Sequence, residues 1–381
     1  MQSPSFRQSI CTAVLSTFFA TVPTACTKPD AADITIGAVL PLTGDAAKYG
    51  QSAKQALDLA VADVNRGGGI KGRHLAVVYE DDRSTPSGGI SAITKLISLN
   101  HVPAVIGSMP SSVTLAIAPI AESHKVVLLS PVSSNPAITK AGDYIFRNCV
   151  SDSVEGTAMA RYARRKLNYN KVAILTINND YGVGLRDVFT KTFTSMGGTI
   201  TAVESFAEGA TDLRAQLSKI ASSSSDALYL IGYTELIVAF KQRTELGIRT
   251  PVLSSIMLDD PELVKKTGGA ASGAVFTAWA YDPHSPNDIT SEFVTNYTKR
   301  YGHEPDVFAA QSYDALILIR KAIETGGYSS DGIKGGLYGI KAFPGVSGVT
   351  TFNSDGDVNK PLRILRVDGE KFVAVADIVP E

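Results

Sequence analysis

From residue 33 onward, short apolar runs alternate with amphipathic stretches, and the whole alternation then begins again. Residues 34–40 are apolar and β-branched, the pattern of a strand covered on both faces. Residues 51–64 place Ala53, Ala56, Leu57, Ala60, Val61 and Val64 at helical spacing, and Asn65 with Gly67, Gly68 and Gly69 stops that helix. Strands are predicted at 75–79, 102–106 and 126–129, and helices at 88–99 and 111–121. After 143–148 the order restarts, with helices at 153–167, 184–196, 212–221 and 235–246 and strands at 171–177, 199–205, 227–231 and 251–254. Repeated βα units build a largely parallel sheet covered by helices. Two such blocks in tandem predict an α/β chain with two lobes of like architecture.

The last third departs from this rhythm. A strand at 275–280 precedes a helix at 286–301, with Ser285 placed to cap it and Pro286 in its first turn. A second helix is predicted at 306–324. A strand follows at 349–352, then a hairpin at 362–378 turning at Asp368 and Gly369.

The chain has 381 residues, 44% of them hydrophobic, enough for two cores. Lys and Arg total 36 against 37 for Asp and Glu, and no basic block occurs, so nothing suggests nucleic-acid binding. Arg7 is the only charge before Lys28. The apolar run at 10–22 has the length of a signal-peptide core and is too short to span a bilayer. Pro23, Thr24 and Ala25 suit cleavage better than continuation of a buried helix, so a signal peptide is expected over 1–25.

Cys26 follows Ala25 directly and resembles the lipid-bearing cysteine of a bacterial lipoprotein. Pro23 stands where such sites usually carry an aliphatic residue, so ordinary secretion stays open as the alternative. The other cysteines are Cys11 and Cys149, and no disulfide framework is expected. Cys149 reads as a small buried hydrophobe.

Several stretches carry a family likeness. They read ITIGAVLPLTGDAAKYG at 34–50, AVADVNRGGGIKG at 60–72, VVYEDDRSTP at 77–86 and VIGSMPSSVT at 105–114. LLSPVSSNPAIT at 128–139, NNDYGVGLRD at 178–187 and FAAQSYDALILI at 308–319 continue the series in order. Together they resemble the leucine/isoleucine/valine-binding protein family, the type I periplasmic solute-binding proteins of ABC importers. The resemblance implies two doubly wound lobes, each on a largely parallel central sheet, joined by three hinge crossovers near Cys149, Tyr281 and Ser347. Lobe one is then 33–149 plus 282–347, and lobe two 150–281 plus 348–381.

Ser111 and Ser112 open a helix after a strand, where hydroxyls and unpaired amides can cap the helix or bind an anion. The resemblance implies that they hold a ligand carboxylate, with Ser108 and Thr114 as weaker candidates. It also implies that the Val132 carbonyl and Ser134 hydroxyl receive a ligand amino group. Tyr49, Tyr181 and Tyr233 match aromatic positions that line the family's cleft. Amino-acid binders of the family usually carry an acid after the strand matching 251–254. Here Ser254, Ser255, Ile256, Met257 and Leu258 stand there instead. Asp259 and Asp260 come later, and either reach the cleft or cap a helix starting near Pro261. A buried ammonium without a partner is costly, so Ile256 and Met257 point to an apolar or aromatic carboxylate.

Catalytic signatures are missing from the sequence. Gly345-Val346-Ser347-Gly348 lacks the spacing of a nucleophile elbow, no Walker loop occurs, and Gly182-Val183-Gly184 lacks the third glycine of a dinucleotide loop. His74, His101, His124, His284 and His303 are dispersed without metal-ligand spacing. Asp81 and Asp82 read as a solvated turn. The expectation is a monomeric, extracytoplasmic solute-binding protein with no cofactor, metal or enzymatic activity. It binds an amino acid or related small carboxylate by hinge closure and delivers it to ABC permease subunits. The alternative is a periplasmic sensor that feeds a receptor.

Overall fold

The computed structural model describes residues 33–378 together with Met1 and Gln2. The expected signal peptide, Cys11 and the expected lipid site at Cys26 lie outside the described residues. The first block runs β1 (Ile34–Leu40), α1 (Ala47–Arg66), β2 (Leu75–Asp81), α2 (Pro86–Ser98), β3 (Ala104–Gly107), α3 (Ser111–Ser123), β4 (Val127–Ser130) and β5 (Ile145–Arg147). Its five strands form a parallel sheet in the order β2-β1-β3-β4-β5. Along β1, Ile34, Ile36, Ala38 and Leu40 enter one core while Val39 enters a second one with α2 and α3. Both faces are therefore dry, which is why the strand reads as an unbroken apolar run.

The second block runs α4 (Asp152–Arg165), β6 (Lys171–Ile177), α5 (Asp180–Ser195), β7 (Thr199–Phe206), α6 (Arg214–Ala221), β8 (Ala227–Ile231), α7 (Leu236–Glu245), β9 (Val252–Ser254), α8 (Pro261–Lys266) and β10 (Val275–Trp279). The chain then forms α9 (Asp288–Tyr301), α10 (Val307–Gly326) and α11 (Ser330–Tyr338). The small pair β11 (Phe343–Gly345) and β12 (Gly348–Thr350) follows, and the hairpin β13 (Leu362–Asp368) and β14 (Lys371–Ile378) ends it. The second sheet has seven strands, ordered β14-β13-β10-β9-β8-β6-β7. It is parallel except at β13 and β14, which join antiparallel. Helix α10 packs on α1 and β3, and α11 on β4, so the odd final third returns to the first sheet before completing the second.

Local chemistry shifts some expected boundaries. Asn287, not Ser285, caps α9, accepting from the Ile289 amide, and the helix starts at Asp288. Asn caps as well as Ser and stands nearer the first buried helical residue, Thr290. The hairpin turns at Gly369 and Glu370, because Asp368 pairs with Lys371 and the left-handed φ of 63° falls on Gly369. Helix α1 begins about a turn before the apolar spacing does, and this puts Tyr49 on the helix rather than in the loop after β1. Gly50 permits that start, since a Cβ there would lie 2.0 Å from the Pro41 carbonyl oxygen. Tyr181 and Gly182 repeat the device in the first turn of α5, where a Cβ would lie 2.1 Å from the Ile177 carbonyl oxygen.

Candidate functional site

Loops leaving the carboxyl ends of β3 and β4 face loops leaving β6, β8, β9 and β10. Open α/β sheets bind ligands at such strand ends. A small cavity of about 20 Å³ lies between them, lined by Met109, Ser111, Val132 and Ser134 on one side. Tyr181, Tyr233, Ile256, Met257 and Trp279 line the other. The volume is that of about one water, so the walls are closed on each other. Contacts beside the cavity hold them there. The Ser112 hydroxyl accepts from the Asp180 amide at 3.3 Å, Asn135 Nδ2 donates to the Asp180 carbonyl at 2.5 Å, and Lys48 pairs with Asp260.

The first wall is built on the start of α3. Val113 and Thr114 amides turn back to the Pro110 carbonyl, while those of Ser111 and Ser112 have no acceptor one turn earlier in the helix. The serine hydroxyls do not cap α3; Ser111 Oγ accepts from the Asn135 amide instead. Ser108 and Thr114 serve the framework behind the wall. The Ser108 amide donates to Thr114 Oγ1, Thr114 Oγ1 lies 2.7 Å from Ser133 Oγ, and Ser133 Oγ donates to the Ser108 carbonyl.

Asp82 closes that framework, since it accepts from the Ser108 hydroxyl and the Ser84 amide. It is fully buried, and burial pushes its carboxyl up to about 6. Asp81 accepts from the Leu42, Thr43 and Arg83 amides and from the Thr43 hydroxyl. The pair thus fastens the loops after β1 and β3; Asp81 keeps part of its surface in water, whereas Asp82 is dry, because an amide and a hydroxyl replace the water expected around it.

The second wall is aromatic. The Tyr181 and Tyr233 rings stack at 5.4 Å and 11°. Tyr49 stands behind Tyr233 at 6.1 Å and meets Phe308 edge-on at 4.9 Å, and Trp279 meets Phe308 at 6.3 Å. The Tyr181 hydroxyl donates to Ser255 Oγ. Burial pushes the Tyr49, Tyr181 and Tyr233 phenols upward, so all three are neutral donors.

Of the residues singled out from sequence, Ser111, Val132, Ser134, Tyr181, Tyr233 and Ile256 meet around the cavity. Tyr49 and Ser112 are set back, as a ring support and a contact between the walls. Asp260 caps α8 by accepting from the Leu263 amide, and neither it nor Asp259 lines the cavity. Cys149 is buried, and desolvation pushes its thiol up to about 12.

Sequence reasoning missed Met109 and Trp279 in the lining, and it missed Asp152 and Glu155 behind it. Asp152 donates its amide to the Ser134 carbonyl at 2.8 Å, and Glu155 Oε1 accepts from the Ile256 amide at 3.0 Å and from Thr277 Oγ1 at 2.6 Å. Both carboxyls are raised, first by burial, and for Asp152 also by repulsion from Glu155. Their three-residue spacing in the first turn of α4 is the signal that could have shown them on one helix face. Among the described residues, no group of His, Cys, Asp or Glu could hold a metal ion. No described helix is long and apolar enough to cross a membrane.

Comparison with known proteins returns one family. A family model described as periplasmic binding protein matches residues 33–371. A Leu/Ile/Val-binding protein homolog 3 of Brucella melitensis is 27% identical over 349 residues, covering 90% of this chain and 94% of its own. The crystal structure of a leucine binding protein, LivK, from Thermotoga maritima aligns with a TM-score of 0.85 at 32% identity, over 91% of this chain and 99% of that one. The branched-chain amino acid substrate-binding protein LivJ of Streptococcus pneumoniae, solved with isoleucine, aligns with a TM-score of 0.83 at 31% identity over the same shares.

Proposed function

Because the chain belongs to the periplasmic binding protein family, whose members bind solutes outside the cytoplasm and are not enzymes, we propose that it captures a small carboxylate for an ABC importer. The observation that carries the proposal is the cavity in which the amide-rich start of α3 faces an aromatic and apolar wall. A carboxylate suits the amides and the partial positive charge of a helix N-terminus. Apolar substituents suit Tyr181, Tyr233, Ile256, Met257 and Trp279. The ligand class is a branched-chain or other amino acid, or a related apolar or aromatic acid. The similar proteins of known structure, one a leucine binding protein and one solved with isoleucine, support that class.

Capture proceeds by hinge closure. Lobe one (33–149 with 282–347) takes the carboxylate first, and lobe two (150–281 with 348–381) completes the site as it swings in. The protein acts as a monomer and presents its closed form to the permease. A signal peptide at 1–25 exports it and a lipid on Cys26 tethers it. Incorporation of a fatty-acid label, lost in Cys26→Ser, tests the tether.

Calorimetry over branched-chain amino acids, aromatic acids and short-chain acids tests the binding role, and saturable binding of at least one is expected. In Ser111→Ala/Ser112→Ala that affinity falls about tenfold or more, the worth of a hydrogen bond to a charged group. Unchanged affinity removes the carboxylate from α3.

A further inference from the structure

The loop after β9 offers no acid to a ligand amino group, yet the structure brings one to the cavity by another route. We propose that Asp152, backed by Glu155, receives the ammonium group of an α-amino acid at the Ser134 edge of the cavity. The proposal rests on the carboxylate-binding reading above and names the ligand's second charged group.

The placement comes first. Asp152 is joined through its amide to the carbonyl of Ser134, and Glu155 through Oε1 to the amide of Ile256; both partners line the cavity. The Ser134 hydroxyl lies near the Asp152 carboxyl without closing a hydrogen bond to it, and its nearness favours the charged form. An ammonium there reaches hydroxyl and carboxylate together, while its own carboxylate faces α3.

The second observation is a deficit of partners. Both Asp152 carboxyl oxygens and Glu155 Oε2 are buried without a hydrogen-bond partner. Tyr229 Oη is another such atom, and so is Trp279 Nε1, whose ring lines the cavity. Buried polar groups are almost always paired, so a cluster of unpaired atoms at one cavity marks where a polar ligand completes the bonding.

The nearby cations are already engaged. Arg147 donates to both Asp357 oxygens, at 2.6 and 2.8 Å, and to the Ser134 and Asn135 carbonyls. Lys360 donates to Ser347 Oγ and Gln311 Oε1. The α4 N-terminus favours negative charge at its first turn, but burial and mutual repulsion oppose it. The Arg147 charge favours the Asp152 carboxylate only in part, and a ligand cation supplies the remaining opposite charge.

The test titrates two matched pairs, L-leucine with 4-methylpentanoate and L-phenylalanine with 3-phenylpropanoate. Each pair differs in the amino group alone. Wild-type protein is expected to prefer one amino acid over its partner by about 100-fold, the scale of an unpaired buried charge. The isosteric variants Asp152→Asn and Glu155→Gln should each cut that preference, Asp152→Asn to below about tenfold, with the desamino acid bound as well as before. If one variant fails to fold, the other carries the test, and calorimetry in two buffers adds a wild-type readout. Leucine or phenylalanine binding should release protons, and desamino binding should release fewer. Equal binding of amino and desamino acids by the wild type overturns the proposal while leaving the carboxylate site standing. A preference that survives in both variants overturns the assignment to α4. No binding of any of these acids overturns both readings.

Discussion

Behind the first-sheet wall of the cavity the hydroxyls satisfy one another, leaving the Ser111 and Ser112 amides and Tyr49 Oη open, whereas on the second-sheet wall buried carboxyl, phenol and indole atoms have no partner. Ser108, Thr114, Ser130 and Ser133 form one hydrogen-bonded knot anchored on Asp82. Opposite them, Tyr229 Oη, Trp279 Nε1 and Glu155 Oε2 are buried and unpaired, as are both oxygens of Asp152 at the Ser134 edge. Each unpaired buried group costs about 1–3 kcal/mol. One wall is therefore preorganised before ligand arrives, and the other gains most when ligand completes it. The difference suits a clamp that docks a carboxylate on a fixed surface and then closes a compliant one.

The largest expected effect comes from Arg147→Met. It strands Asp357 and frees the Ser134 loop, and should cost about 3–5 kcal/mol of unfolding free energy by urea denaturation. A loss below about 1 kcal/mol would show that the wall is held otherwise. Ser108→Ala is smaller. It removes the hydroxyl donor of Asp82 and should cost about 1–3 kcal/mol, with ligand affinity falling in parallel because the preformed wall loosens.

A pH series separates two raised acids, the buried Asp82 and the half-buried Asp259, from the rest. Burial raises Asp82 to about 6 and Asp259 to about 7. Their folded forms hold protons more tightly than the unfolded chain. The stability they contribute is thus fully present below their unfolded value, near 4, and is lost as pH rises through about 6 and 7. Asp82→Asn should flatten the lower part of that loss in thermal melts across pH. The smallest effect is expected at the latch. Lys48 is 40% exposed, so Lys48→Ala should speed ligand release only a few-fold, and added salt should erase the difference.

Much of the fold was legible because its strands are dry on both faces, and such strands read as apolar runs between amphipathic helices. Helix α11 was not legible. Its SDGIKGGLY sequence has poor helix propensity, and two of its glycines, Gly332 and Gly336, serve packing instead: a Cβ on Gly336 would lie 2.5 Å from the Ala322 carbonyl oxygen of α10. In the site, Ser111, Ser134 and Tyr181 were visible through the family resemblance, since a serine at a helix start reads locally as a cap and a lone tyrosine as packing. Trp279 and Met109 were not, since a lining residue at a strand end looks like core. Asp152 and Glu155 resembled ordinary acids in a helix's first turn, and only tertiary packing shows that they are dry. Asp82 misled for the same reason.

Trp279 is the chain's single tryptophan and lines the cavity, so its fluorescence reports on that site alone. The most direct test of the account is a fluorescence titration of the intact protein with L-leucine, L-phenylalanine and their desamino acids. The account predicts a saturable change in Trp279 emission with at least one of these carboxylates, weakened in Ser111→Ala/Ser112→Ala. Emission that stays constant with every one of them at millimolar concentration would contradict it.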